Sequence, residues 1–555
     1  MAQSGYKSAG EVFRLFLKML GLDRKDISAI YLFAILAGLV QLSLPLGIQT
    51  IISFVLAGSV STSIIVLIIL VVAGTFLNGL LQVRQLQLIE KLKQKIFVRY
   101  SLGFSARLPQ LNVERLDNYY LPEMINRFFE VPSLQKGIEK ILLDIPTAII
   151  QILLGLLLLS FYHPVFIGFG AVLLLIIVLI LRYTLQQGFS ASLEASDYKY
   201  QVAAWLQDMA RMIKSFKYAG NSNIHVQQTD KLVSGYLDAR THYFKILLTQ
   251  AWSFIGFKTL ITAAMLIVGA TLLVDQQINI GQFIAADIVI LSIIGSVEKL
   301  IGNLDKIYES FTSIEKMNAV MEATTETGGS IVLPGTKQGV SIVFDLVDFS
   351  YPNGEKVLQQ ISFSINPGEM VLIKGSSGSG KSSLLRLLTG AYQNFEGSVL
   401  IDGLPVGNYE LHSLRSLTGV QLNQQEIFRG SVFDNITMGD KTVSMEMILQ
   451  LANITGLDTF IQSNKEGFDT ILDPLGKRLS QHIRQNILLT RALLGNKRLL
   501  LLEEPFLQLT VRQKAAVIRY LKTQTNTTII ILSANEETMG DYDSVIEIQD
   551  GKRTV

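Results

Sequence analysis

The chain has 555 residues, 49% hydrophobic and only 17% charged, a balance of positive mean hydropathy that excludes an ordinary soluble protein and points to the membrane. Its 48 basic and 46 acidic residues nearly cancel, which leaves no global field for nucleic acid and excludes it as a partner class. With no cysteine, disulfides and cysteine-ligated metals are excluded as well.

In chain order, EVFRLFLKMLG comes first. It places Glu11, Arg14 and Lys18 on one helical face and Val12, Leu15, Phe16 and Met19 elsewhere. Residues 1–26 are therefore expected to hold an interfacial helix along the lipid bilayer, with a helix packed on protein as the alternative. Six apolar spans follow at roughly 27–56, 62–84, 140–162, 164–184, 250–273 and 279–302, each reaching the ~20 residues that cross hydrocarbon. The first is too long for a signal-peptide core and is expected to remain in the mature protein.

Six crossings place both termini on one side. LAGSVST, FYHPVF and VDQQINI carry no Lys or Arg, whereas Arg84, Lys91, Lys93, Lys95, Arg99, Arg107, Arg115 and Arg127 follow the second span. The positive-inside bias makes the termini and the long connections cytoplasmic. Residues 85–139 and 185–249 lack long Gly/Pro interruptions and are expected to extend the membrane helices into the cytoplasm. Asp287 falls roughly 14 Å inside the outer end of the sixth helix at ~1.5 Å per residue, as a pathway group or an interhelical hydrogen-bonding partner. Lys258, nearer the cytoplasm, has snorkelling as its competing reading.

The membrane domain is expected to end at residue 324, followed by a linker at 325–340 (within TETGGSIVLPGTKQG) and a second domain at 341–555 that alternates strand-like and helical runs. There, VLIKGSSGSGKSSLLRLL reads as strand, glycine loop and helix start. Gly375 and Gly380 bracket Ser376, Ser377, Gly378 and Ser379, whose amides can surround phosphate oxygens. Lys381 adds positive charge, Ser382 a hydroxyl for Mg²⁺, and Ser383 sits in the helix start that faces the anion. This full pattern is specific for ATP or a related nucleotide, though alone it also fits a kinase or a GTPase.

Around this loop the chain resembles the ATP-binding-cassette (ABC) exporters along nearly its whole length, as a half-transporter. FSYPNGEKVLQQISFSINPGE resembles the family's adenine-stacking segment and puts Tyr351 at the aromatic position. EGSVLIDG, LRSLTGVQL, IFRGSVFDNI and GKRLS before RQNILLTRALL keep the family's order. RLLLLEEPF then resembles the buried strand whose first carboxylate, Glu503, holds Mg²⁺ and whose second, Glu504, polarises the attacking water. The resemblance implies a membrane all-α domain of six transmembrane helices with long cytoplasmic extensions, fused to a cytoplasmic α/β P-loop cassette domain. It also implies ATP and Mg²⁺ as cofactors and a dimer, either a homodimer or a heterodimer with another half-transporter. LPLGIQTIISFVLAG looks similar to bacterial peptide and protein exporters of the inner membrane, without the peptidase domain that can precede such spans.

The departures fall on residues that complete hydrolysis. At the family's glutamine this chain has Asn423, a further metal candidate, with Gln424 beside it. The signature LSGGQ reads LSQHI, keeping Ser480 but adding side chains at Gln481 and His482, where the family's glycine backbone approaches a phosphate. His482 is expected to be a solvated surface residue, with a phosphate contact as the alternative. Ala534 stands at the switch histidine, Glu503 replaces an aspartate, and Leu507-Gln508-Leu509-Thr510 replaces a small segment ending in aspartate. Nucleotide binding with slow or partner-dependent hydrolysis is the expectation, and a nucleotide-gated scaffold or channel is the rival.

Overall fold

The computed structural model describes residues 7–56, 62–116, 121–220, 222–336, 338–352, 354–423, 425–534 and 542–554. Gln424, part of the LAGSVST connection and the first residues of the N-terminal region lie outside this set. The chain divides into two compact units, Met1–Pro109 with Tyr120–Ala323, and Gln110–Tyr119 with Thr324–Val555.

The first unit is helical. Its principal helices are α1 (Ala9–Leu20), α2 (Arg24–Gln41), α3 (Ser43–Leu56), α4 (Thr62–Arg107), α5 (Glu130–Glu139), α6 (Ile145–Tyr162), α7 (Val165–Arg211), α8 (Ile224–Val274), α9 (Ile280–Gly302) and α10 (Leu304–Met321). Six stretches are long and apolar enough to cross a membrane: Ala9–Leu56, Thr62–Gln110, Glu123–Tyr162, Val165–Arg211, Ile224–Val274 and Ile280–Met321. They contain the six spans read from sequence. Ile65, Ile69 and Phe76 of α4 project away from the protein, as helices in hydrocarbon do. Helices α4, α7 and α8 run unbroken for 46, 47 and 51 residues, each about 70 Å at ~1.5 Å per residue against a hydrocarbon core of ~30 Å.

Two expectations change here. The first span is not one helix: it breaks at Leu42, between α2 and α3, because Pro45 offers no N–H to the carbonyl of Gln41. Helix α1, capped by Ser8 and Glu11, buries Val12, Phe16 and Leu20, and Phe16 meets Phe311 of α10 with ring centroids 6.4 Å apart. That stripe is taken up by protein, and Phe13 and Leu17 are what it leaves exposed for a leaflet. Polar anchors fix the longer helices. Glu130, 4% exposed at the start of α5, accepts hydrogen bonds from Lys199, Tyr200 and Ser313, each at 2.6 Å.

The second unit is α/β. An antiparallel sheet runs β2-β1-β4-β5, with β1 at Ile342–Ser350, β2 at Lys356–Ile365, β4 at Phe395–Ile401 and β5 at Leu404–Pro405. A second sheet has the order β10-β9-β3-β8-β7-β6 and is parallel except for its β9/β10 edge. Its strands are β3 (Met370–Lys374), β6 (Thr418–Gln421), β7 (Leu499–Glu503), β8 (Thr528–Ser533), β9 (Ser544–Gln549) and β10 (Lys552–Thr554). The runs MVLIK, LLLLE and TIIILS are apolar except at their ends because helices cover both faces of a parallel sheet. Val371, Leu501 and Ile530 face the helix α11 (Lys381–Leu388), while Leu372, Leu500 and Ile529 face α12 (Gln481–Leu493). Residues 324–340 pack into this unit: Leu333 is buried, and Arg498 donates to the carbonyls of Pro334, Gln338 and Gly339.

Candidate functional site

Parallel strands bring their C-terminal ends to one edge, where ligands of open α/β sheets bind. Here β3, β8, β7 and β6 lie side by side and deliver the phosphate loop, Ser533-Ala534, Glu503-Glu504 and Asn423 respectively. Gly375 joins β3 to the loop so closely that a Cβ would lie 2.0 Å from the carbonyl oxygen of Ile548. Gly380, at φ +95°, would meet the carbonyl of Val357 at 2.8 Å, so both positions require glycine.

Lys381 Nζ donates to the carbonyls of Gly375 and Ser376, each at 2.7 Å, and approaches Ser379 Oγ at 3.4 Å. Burial pushes its ammonium below the usual range, against the pull of Glu504 and Glu503. A phosphate beside it would favour the charged form. Ser377 and Gly378 lie between these anchors, and no atom stands within 4 Å of where a Cβ on Gly378 would be, so the loop leaves room for close approach. Ser382 Oγ donates to Glu503, whose other oxygen accepts from the main-chain N–H of Asn423 at 2.8 Å.

The three metal candidates thus converge. A hydroxyl beside a carboxylate suits Mg²⁺, which takes few protein ligands and completes its shell with phosphate oxygens and water. Asn423 contributes its main chain to this cluster, and its side chain is exposed. Ser383 is buried and bonded through Oγ to the Tyr351 hydroxyl at 2.9 Å, which also accepts from Arg386 at 2.7 Å. Phe349 and Tyr392 brace the Tyr351 ring edge-on, with centroids 4.9 and 5.5 Å away.

Glu504 has φ +48°, and its carboxylate accepts from Ala534 N at 2.6 Å and Ser533 Oγ at 3.3 Å. Ala534 therefore does hydrogen-bond here, through its backbone, although its side chain cannot. Ser480 is exposed and caps α12, accepting from Ile483 N at 3.3 Å. His482 is half-buried and bonded to the carbonyl of Gln508, which corrects the expectation of a solvated surface residue.

Two residues escaped the sequence reading. Gln485 Nε2 donates to the carbonyl of Glu504 at 3.1 Å; its signal was one polar residue leading into an apolar run. Gln421, 1% exposed at the end of β6, has neither amide atom hydrogen-bonded among the described residues; its signal was a polar residue in a strand. Asp287 is half-buried on α9 and Lys258 exposed on α8.

Residues 358–507 match the ABC transporter family and residues 27–297 the ABC transporter transmembrane region. The chain is 30% identical to the alpha-hemolysin translocation ATP-binding protein HlyB of Escherichia coli O157:H7, over 63% of this chain and 49% of that protein. It is 24% identical to the cyclolysin secretion/processing ATP-binding protein CyaB of Bordetella pertussis (strain Tohama I), over 97% of this chain and 76% of that one. The HlyB alignment thus spans about half the length of that relative. A bacterial Atm1-family ABC exporter solved with ATP bound superposes with a TM-score of 0.85 at 19% identity, covering 96% of this chain and 94% of that one.

Proposed function

The chain belongs to the ABC transporter family as a multi-pass exporter subunit, and from that premise we propose that it binds Mg-ATP between two cassette domains of a dimer and couples their closure to export of a peptide or protein across the bacterial inner membrane. The convergence of Lys381, Ser382 and Glu503 at the strand ends carries this reading. The secretory names of the relatives support the substrate class, and the positive-inside charge bias supports cytoplasmic termini and a cytoplasmic cassette domain.

In this reading, main-chain amides of residues 375–382 and Lys381 hold the phosphates, and Tyr351 lies against the base. Ser382, Glu503 and the Asn423 side chain would hold Mg²⁺, which spreads charge between phosphate oxygens when bound. Glu504 is the group to orient and deprotonate water, through acceptor sites that the Ala534 N–H and the Ser533 hydroxyl leave free. Ser480 meets the nucleotide of the partner subunit. With Ala534 at the switch and side chains at positions 481 and 482, hydrolysis is slow or depends on a partner subunit.

A nucleotide-gated scaffold or channel is the second reading, favoured by Ala534 at the switch position and the side chains of Gln481 and His482 in the signature. Mg-ATP binding and hydrolysis by the full chain in lipid nanodiscs, with Lys381→Ala as control, separate the two. Turnover above ~1 s⁻¹ that vanishes in the control supports the exporter cycle. ATP binding without turnover points to a missing partner subunit or to the gated form, and absence of binding removes both.

A further inference from the structure

We propose that the break in the first membrane span forms a midplane site for the main chain of an extended peptide, an inference that rests on the peptide-exporter reading. Three spans bring polar side chains together where hydrocarbon would surround them. Gln151 of α6 donates through Nε2 to Gln41 Oε1 at the end of α2. Ser296 of α9 donates to Gln151 Oε1 at 2.8 Å and also reaches the carbonyl of Ser292 at 2.9 Å. At ~1.5 Å per residue, Gln41, Gln151 and Ser292 lie within about 4 Å of the centres of their spans.

The node has hydrogen-bonding capacity left over. Among the described residues, both N–H groups of Gln41 and the second N–H of Gln151 have no acceptor. The carbonyl of Gln41 has lost its helical donor to Pro45. A cavity of about 50 Å³ adjoins them, lined by Gly38, Gln41, Pro45, Gln151 and Ser292 among others. Two of its lining glycines sit at close helix contacts: a Cβ on Gly38 would lie 2.6 Å from Ile150, and one on Gly155 would lie 2.9 Å from Ile293.

Irregular backbone at membrane depth is tolerated where it lines a cavity, and intramembrane polar groups mark pathways. Amide donors beside a freed carbonyl and the Ser292 hydroxyl match a group that offers both C=O and N–H, repeated and uncharged. An extended peptide backbone has that chemistry, and its recognition would be indifferent to cargo side chains.

The test uses the full chain in nanodiscs and a fluorescent, end-capped Gly/Ser decapeptide, with ATP binding followed in parallel. Gln41→Leu with Gln151→Leu is expected to weaken peptide binding at least tenfold. Gln49→Leu, which removes the partner of the Tyr162 hydroxyl, should change it less than twofold. Wild-type affinity in the double variant overturns the site and leaves the exporter reading intact. A wild type that binds ATP but no peptide removes the substrate reading and the site with it.

Should the double variant not fold, a second measurement decides. The chain has no cysteine, so Leu44→Cys at the cavity and Ile149→Cys, exposed on α6, give single thiols. A peptide carrying an activated disulfide should label position 44 at least tenfold faster. Equal rates overturn the proposal.

Discussion

His482 donates from Nδ1 to the main-chain carbonyl of Gln508 at 2.5 Å, while its Nε2 lies 3.3 Å from the side-chain amide of Asn486. A carbonyl only accepts, so Nδ1 carries a proton. One helical turn on, Gln485 holds the carbonyl of Glu504. Two side chains of α12 therefore brace the segment that carries Glu504. His482→Ala leaves the Gln508 carbonyl unpaired, a loss of about 1–2 kcal/mol. In the full chain, amide exchange across Leu507–Thr510 should accelerate roughly tenfold. Unchanged exchange would show that the bond contributes nothing.

Restoring the absent switch side chain should raise turnover. Ala534→His is expected to increase hydrolysis by ~10²-fold, the lower end for one transition-state contact. ATP affinity should stay within about threefold, because Lys381 and the loop are untouched. A rate unchanged even when Gln481→Gly and His482→Gly are added would place the limitation elsewhere.

The Glu130 hub predicts a pH dependence. Burial raises its carboxyl, but Lys199, Ser313 and Tyr200 outweigh burial and hold it below the usual value of 4.5. Because the folded value is the lower one, the stabilisation is complete above 4.5 and is lost as pH falls through the depressed value. Glu130→Gln should melt about 5 °C lower at pH 7, and the two melting curves should converge in acid. A gap that widens in acid would reverse the assigned sign.

Gly188→Ala tests the packing of the long helices. A Cβ there would lie 2.5 Å from the ring of Tyr308, a fully buried side chain whose hydroxyl accepts from Gln250 at 2.6 Å. Moving that ring should cost about 1–3 kcal/mol, visible as a lower melting temperature. An unchanged melt would mean that the ring has an equivalent alternative position.

Most of this architecture was legible because its signals are local. Apolar runs of span length and a glycine loop between strand and helix need no long-range information, so the six spans and the nucleotide loop could be read directly. The break at Leu42 was hidden by averaging over a uniformly apolar window, although Pro45 marked it. The Glu504–Ala534 bond has no signature, since every residue but proline carries an N–H. His482 was misread because the carbonyl it meets lies 26 residues further along the chain, and nothing in LSQHI indicates that distance.

Residues 110–119 belong to the second unit, although the rest of that unit begins only at Thr324. Gln110, Leu111 and Asn112 are held there by the Leu111–Thr325 bridge and by main-chain bonds from Asn112 to Thr324 and from Glu326 to Gln110. During synthesis this decapeptide leaves the ribosome about two hundred residues ahead of its partners, a wait of roughly 10–40 s at ~5–20 residues per second. Four of the six spans are translated in that interval. The nucleotide-binding unit therefore cannot be completed as an autonomous C-terminal event, and a truncated chain starting at residue 341 would be born without one of its own parts.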